Sequence, residues 1–380
     1  MTRRPAQPMP RQSPQGDLFR PGDRPTASTQ ASPPAPAGRA ISRTVRPHRG
    51  YLHAIRGLQS RDQVLLVLLD EHGTLTTSQI AGILFDRATT AERRLYRLRA
   101  ADWVDCFSPI RAGARLETHW VLGSFGARWA ANHDSRTPPT PRALRERNEA
   151  IAASSHLIHG DGQRGFFIDL LHHARTHSRT RLSRWWSPAR TAAALGQRVH
   201  PDGHGVWDTW DRGDTRDGRG ADVGHPHQEA DHDEPHVEAH GPPAQRRQVG
   251  FYLEYDTGSE TLDRLIGKIE PYRRLRRDGG PDYALLIHLP SAARETNLHR
   301  ALNGEAPHLG FALTTTNPDT LAAHRAGPAG QVWRLAGNGR RRHRLADIPS
   351  HPGRPGPYHP GPPTPDDDPL CLLGPVASPR

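Results

Sequence analysis

The sequence predicts a mixed chain of the α+β or α/β class with two ordered blocks, and three observations carry that expectation. Between residues 61 and 122, three helix-length apolar patterns are followed by two short alternating segments. Between 142 and 340, strand-like and helix-like patterns alternate, as they do in α/β domains. Elsewhere Pro, Gly, Asp and His crowd out apolar residues. With 37 Pro, 36 Gly and only 34% hydrophobic residues in 380, much of the chain cannot be packed core.

In the first block, "RDQVLLVLLDEHG" turns Val64, Leu65, Val67, Leu68 and Leu69 inward and stops at Gly73. "LTTSQIAGILF" follows, with Thr76 or Thr77 as cap and Ile80, Ile83 and Leu84 facing in. After a turn near Asp86, "ATTAERRLYRLRAADWV" puts Ala91, Leu95 and Leu98 on one face. "WVDCFSP" and "LETHWVLG" then alternate like two strands joined by the basic loop "IRAGAR". Three helices followed by a hairpin is the order of a winged helix-turn-helix, whose third helix enters a major groove and whose hairpin touches the flanking backbone. Residues 57–135 would form it, and double-stranded DNA would be its partner. Arg93, Arg94 and Arg97 on the third helix, with Arg111 and Arg115 on the wing, are the candidate contacts, because guanidinium forks match phosphates and base edges. A protein-binding winged helix or a plain solvated arginine face is the alternative.

The charge balance agrees with a polyanionic partner. Fifty-one Lys and Arg against 40 Asp and Glu leave +11, and each arginine placed beside a phosphate releases condensed counterions. A basic soluble protein whose arginines reflect composition alone is the bland counterpart. Cys106 and Cys371 are too few and too separated for a disulfide framework or a cysteine-rich zinc site. No apolar run reaches the about 18 residues of a membrane helix, and a cytoplasmic location without membrane contact is expected. Residues 1–56 and 347–380 are expected to be disordered tails. The segment 208–248 is expected to be a disordered insertion, in which His225, His227, His232, His236 and His240 match no defined metal-site spacing.

The second block begins with "RALRERNEAIAASSHLIH" and "GFFIDLLHHAR" as one or two helices, after a stretch whose prolines resemble a linker. Pro201-Asp202-Gly203 is a turn signal at the end of a strand. "QVGFYLEYDTG" alternates with period two, so Phe251, Leu253 and Tyr255 share one face and Tyr252, Glu254 and Asp256 the other. If the insertion is set aside, the connection from Asp202 to this strand is short and the three acids can converge. "SETLDRLIGKIEPYRRL" is then a helix capped by Ser259, packing Leu262, Leu265, Ile266 and Ile269 on the sheet. Its Lys268 is the only lysine in the chain and can reach toward the acids. Clustered carboxylates with one ammonium suit metal-assisted phosphodiester hydrolysis, in which Asp202, Glu254 and Asp256 hold Mg²⁺ or Mn²⁺ and Lys268 stabilises developing charge. An ordinary surface lysine on an amphipathic helix is the alternative.

"RDQVLLVLLDEHGTLTTSQIAGILF", "AERRLYRLRAADWV", "HPDGHGVW" and "FYLEYDTGSETLDRLIGKIEPYRRL" together resemble the replication-relaxation family of plasmids and mobile elements of actinobacteria and other Gram-positive bacteria, over about residues 60 to 335. The resemblance implies a role in plasmid replication, maintenance or transfer, with replication or transfer proteins as further partners. It also implies an N-terminal winged helix and a second domain similar to the PD-(D/E)xK, or restriction-endonuclease-like, fold of a mixed sheet flanked by helices. Asp202 and Glu254 match that motif's acids, whereas its lysine position is Asp256 here; Lys268 in the following helix would be a relocated lysine. Two functions follow. One is a divergent metal-dependent nuclease that nicks DNA, and the other is a non-catalytic DNA-binding regulator of replication or transcription. A tyrosine relaxase is a third; Tyr252, Tyr255 and Tyr272 are present, but no compact histidine triad is.

Overall fold

Apolar periodicity and capping set the elements of the first block. The computed structural model describes residues 51–111, 113–210 and 245–373. Helix α1 (Tyr51–Ile55) precedes α2 (Ser60–His72), which buries Val64, Leu65, Leu66, Leu68 and Leu69. It stops at Gly73, whose φ of 79° lies in the left-handed region open to glycine. A short β1 (Leu75–Thr76) leads into α3 (Thr77–Leu84), and Thr76 caps it with a reciprocal bond from Gln79, as a capping box requires. Next come α4 (Ala88–Ala100), β2 (Val104–Phe107), β3 (Ile110–Arg111), β4 (Ala114–Arg115) and β5 (His119–Leu122). β1, β5 and β2 form an antiparallel sheet in that order, and β3 pairs with β4 as a separate hairpin.

The stretch expected to be a linker contains a helix, α5 (Ser124–His133), which buries Gly126, Ala127, Ala130 and Ala131 against the first block. Two more helices follow, α6 (Pro141–Ala152) and the 20-residue α7 (Leu157–Thr176). After them come β6 (Thr180–Trp186), α8 (Pro188–Ala194), β7 (Gly203–Trp210) and β8 (Arg246–Tyr255). The chain continues through α9 (Leu262–Gly267), α10 (Ile269–Arg277), β9 (Ala284–His288), α11 (Ala292–Ala301) and β10 (Leu313–Thr316), then α12 (Pro318–Ala322), β11 (Gln331–Leu335) and β12 (Arg342–Arg344).

The last seven strands form one mixed sheet in the order β12-β11-β10-β9-β8-β7-β6. β8, β9 and β10 are parallel neighbours joined by helical crossovers, and the remaining pairs are antiparallel. Both faces are covered. Phe251 and Leu253 of β8 join a core that runs through α7 into α2, α3 and α4, while Tyr252 joins a second core with Leu265, Ile269, Tyr272 and Leu298. The period-two division of β8 is therefore the division between two cores.

Several expectations change in detail. Asp202 stands just before β7 and starts that strand; it does not end one. The helix after β8 is capped by Thr261 and not by Ser259, and it breaks at Lys268 into α9 and α10. Residues 1–50, most of the His/Asp-rich insertion with its five histidines, and residues 374–380 lie outside the described residues. At the insertion's edges, β7 and β8 pair antiparallel out to Trp210 and Arg246.

The Pro- and Gly-rich stretch after residue 347, expected to be a tail, packs on the protein as far as residue 373. Its anchor is Asp367, 5% exposed, which accepts bonds from Arg184 Nη2 (2.8 Å), Trp186 Nε1 (2.7 Å) and Arg190 Nη2 (2.9 Å). Arg184 is itself buried and also donates to the carbonyl oxygens of Gly361 and Pro362 (both 2.9 Å). Leu370 then enters the core shared with α2. Removing one member of a buried ion pair costs roughly 3–5 kcal/mol, because the other charge is left without a partner. Asp367→Ala is therefore expected to lower unfolding free energy by about that amount in urea titrations. A midpoint equal to wild type would show that this strap does not hold the fold.

Candidate nucleic-acid interface and acidic cluster

The face that α4 turns away from the core is basic. At about 100° per residue, Ala91, Leu95 and Leu98 point inward, and Arg93 lies nearly opposite with Tyr96 and Arg97 to either side of it. Arg93 and Arg97 are exposed and have no acidic partner among the described residues; Tyr96 is 48% exposed and packs edge-on against Trp120. Glu92 is the one carboxylate on that exposed surface of α4. Arg111 and Arg115 are exposed on the β3–β4 hairpin beside Ile110, which is 68% exposed.

Arg94 differs from its neighbours. Its Nε donates to Asp62 Oδ1 (3.0 Å), a second nitrogen donates to Asp62 Oδ2, and another bond reaches the Gly57 carbonyl (3.1 Å). Asp62 is 1% exposed in the first turn of α2. Arg94 thus neutralises a buried carboxylate and ties α4 to α2.

The second set of side chains meets where β7 and β8 approach the start of α7. Asp202 Oδ2 accepts the Tyr255 backbone N–H (2.7 Å), and Oδ1 lies 2.9 Å from His159 Nε2. The close approach needs Gly162: a Cβ there would lie 2.5 Å from the Tyr255 ring. Glu254, 6% exposed, accepts from the Tyr272 hydroxyl (2.6 Å). Lys268 Nζ lies 3.9 Å from Glu254 and 2.8 Å from Glu260. Asp202, Glu254 and Lys268 are thereby brought together, with His159, Glu260 and Tyr272 added to them. Those three partners carry no motif in the sequence; only the fold shows them.

The electrostatics follow from burial and these contacts. Burial, reinforced by the negative charge of Asp202, pushes the Glu254 carboxyl up to about 7. The bond to Asp202 raises His159 above the usual imidazole range. For Lys268, burial works downward, but the bond to Glu260 and the charges of Glu254 and Asp202 outweigh it and the ammonium is held.

Asp256 does not join this cluster. One of its oxygens is engaged by Arg294 Nε and the other accepts the Gly258 N–H (2.8 Å). Among the described residues, no group of three His, Cys, Asp or Glu side chains is placed to hold a metal ion. The donor set expected for Mg²⁺ or Mn²⁺ is thus divided, with Asp202 spent on His159 and a backbone amide and Asp256 spent on Arg294.

In comparison with known families, the replication-relaxation family model matches residues 66–284. That span runs from within α2 to the start of β9 and includes both the α4 face and the acidic cluster. Comparisons with curated proteins and with solved structures found no match.

The raised Glu254 carboxyl has a consequence for stability. Its folded value of about 7 exceeds the ordinary 4.5, so the folded state holds the proton more tightly. The associated stability is fully present below about pH 4.5 and is lost as pH rises through about 7. Glu254→Gln keeps an acceptor for Tyr272 without the charge. It is expected to match wild type near pH 4 and to exceed it at pH 8 by up to about 3 kcal/mol in denaturant titrations. Equal stability at both pH values would mean that Glu254 is ionised without cost.

Proposed function

The chain belongs to the replication-relaxation family, and from that replication-related role we propose that it binds duplex DNA through its N-terminal block, as a winged helix-turn-helix, without cleaving it. In this reading, α2, α3 and α4 are the three helices, the sheet β1-β5-β2 is their support and the β3–β4 hairpin is the wing. The observation that carries it is the contrast among neighbouring arginines. Arg94 is bound to a buried carboxylate, while Arg93, Arg97, Arg111 and Arg115 stand exposed and uncompensated among the described residues. Such cations gain most from phosphates, whose counterions they release. The DNA would belong to a plasmid or mobile element, and replication or transfer proteins would be further partners.

A second reading, metal-dependent nicking, is favoured by the convergence of Asp202, Glu254 and Lys268 on one spot. The commitments of Asp202 and Asp256 weigh against it, because a three-carboxylate centre for Mg²⁺ or Mn²⁺ would have to break bonds to His159 and Arg294 first. The non-catalytic reading therefore takes precedence, and the cluster serves as an ion-pair junction between α7, β8 and the α9–α10 break.

Two experiments test these readings. In fluorescence anisotropy with a labelled duplex, Arg93→Ala and Arg97→Ala are expected to weaken binding by roughly tenfold each with unchanged unfolding midpoints. Arg94→Ala is instead expected to lower stability by about 3–5 kcal/mol, since it strands the buried Asp62 charge. Unchanged affinity in both exposed-arginine variants would remove α4 from the interface. Supercoiled plasmid incubated with the protein and Mg²⁺ or Mn²⁺ is expected to remain intact. Nicking that Glu254→Ala and Lys268→Ala both abolish would move the cluster to the catalytic reading.

A further inference from the structure

Beside the outward face of α4 lies an open cleft of about 210 Å³, lined by Gln59, Arg61, Phe85, Thr90, Arg93, Arg94 and Arg97. An adjoining cleft of about 350 Å³ shares Arg61, Phe85 and Thr90 and adds Leu84, Asp86, Arg87 and Arg175. Asp86, in the second cleft, is the one carboxylate among their lining residues, and both it and the neighbouring Asp62 are engaged. Asp62 is held by Arg94, and Asp86 lies 3.3 Å from an Arg175 nitrogen. Arg61, Arg87, Arg93 and Arg97 have no acidic partner among the described residues.

Arg61 is the informative member. Its guanidinium carbon sits 5.0 Å from the centre of the Phe85 ring, and its Nε donates to Gln59 Oε1 (2.8 Å). A ring and an amide hold it in place while leaving its charge uncancelled. It stands between the two clefts, on a helix different from the one that carries the expected groove contacts. A pre-positioned guanidinium with a hydroxyl and two further arginines suits an anion with several acceptor oxygens. Two such seats in succession suit an anion that repeats along a chain.

We propose that these clefts seat consecutive backbone phosphates of duplex DNA, gripped by Arg61, Arg87 and Arg97 with the Thr90 hydroxyl, while Arg93 on the adjoining outward face is left for the groove. The proposal rests on the duplex-binding reading above and adds a sequence-independent clamp to it. Phosphate contacts set register and orientation on the duplex and carry no sequence information. The seats therefore explain how α4 is held at a groove whatever its bases.

The test is anisotropy on two duplexes of unrelated sequence, between about 50 and 200 mM salt, comparing wild type with Arg61→Gln, Arg87→Gln and Arg61→Lys. Each Gln variant is expected to weaken both duplexes by the same factor and to reduce the slope of log K against log salt by about 0.9. Arg61→Lys, which retains the charge, is expected to keep the slope. Arg87 is exposed and makes no side-chain hydrogen bond or ion pair among the described residues, so its variant tests the seat even if Arg61→Gln disturbs the Phe85 stack. Wild-type slopes in both Gln variants would overturn the clamp while leaving duplex binding intact. A loss confined to one duplex would also overturn it, by showing that these arginines read bases. Wild-type protein that binds neither duplex would overturn both readings.

Discussion

Phe167, wholly buried in α7, stacks on Phe251 of the sheet and on Trp185, and the next residue, Ile168, lies against Gly82 of α3. One helix is thus apolar toward two sides, with Phe166, Leu170 and Leu171 also buried. At about 2 kcal/mol for each fully buried large side chain, these five residues contribute roughly 10 kcal/mol, several times what a partly exposed ion pair supplies. Apolar burial therefore fixes α7, and the polar residues at its start ride on that placement. Asp161 meets His119 of β5 (2.9 Å) and, through its carbonyl, Gln79 of α3 (3.0 Å). His159, two positions earlier, meets Asp202. One helical turn thus contacts both the first block, through α3 and β5, and the acidic cluster.

Charge pairing is the second organising constraint. A chain with an excess of arginine must either cancel each guanidinium where it is buried or leave it in water. Arg184 is cancelled by Asp367, Arg94 by Asp62, Arg342 by Glu295 and Arg294 by Asp256. Each of these pairs joins segments distant in sequence, so arginine acts here as a tie between elements. Arg61, Arg87, Arg93 and Arg97 around the α2–α4 clefts take no part in that pairing among the described residues.

Local signals in the sequence were legible where they were also the dominant ones. Gly73 stops α2, Thr76 caps α3 and the period of two along Phe251 to Tyr255 separates the two cores, as expected from spacing alone. The adjacency of Asp202 to the β8 strand was legible too, once the intervening stretch was set aside. Helix α5 was hidden because it buries Gly and Ala, which leave a weak apolar period. The strap after residue 347 was hidden because its anchor is a buried carboxylate, and composition treats Asp as a sign of solvent. Arg94 and Asp256 share that difficulty: pattern gave each a role, and a partner from elsewhere in the chain decided it.

Lys268 brings these constraints together. It occupies the break between α9 and α10, where its backbone ends one helix and begins the next. Its ammonium faces two carboxylates from different segments, Glu260 at 2.8 Å and Glu254 at 3.9 Å, and the charge of Asp202 also acts on it. A guanidinium is planar and gains most by engaging one carboxylate through two parallel bonds, as Arg342 does with Glu295. An ammonium is a compact point charge whose three donors rotate freely, so it can serve acceptors that do not share a plane. One oxygen of Glu254 already accepts from the Tyr272 hydroxyl, so a two-bond fork would compete with it. The placement of three acids near one cation thus supplies a structural reason for the chain's single amine. That reason holds whether or not the site carries chemistry, because it follows from the shape of the cation and the directions of its partners.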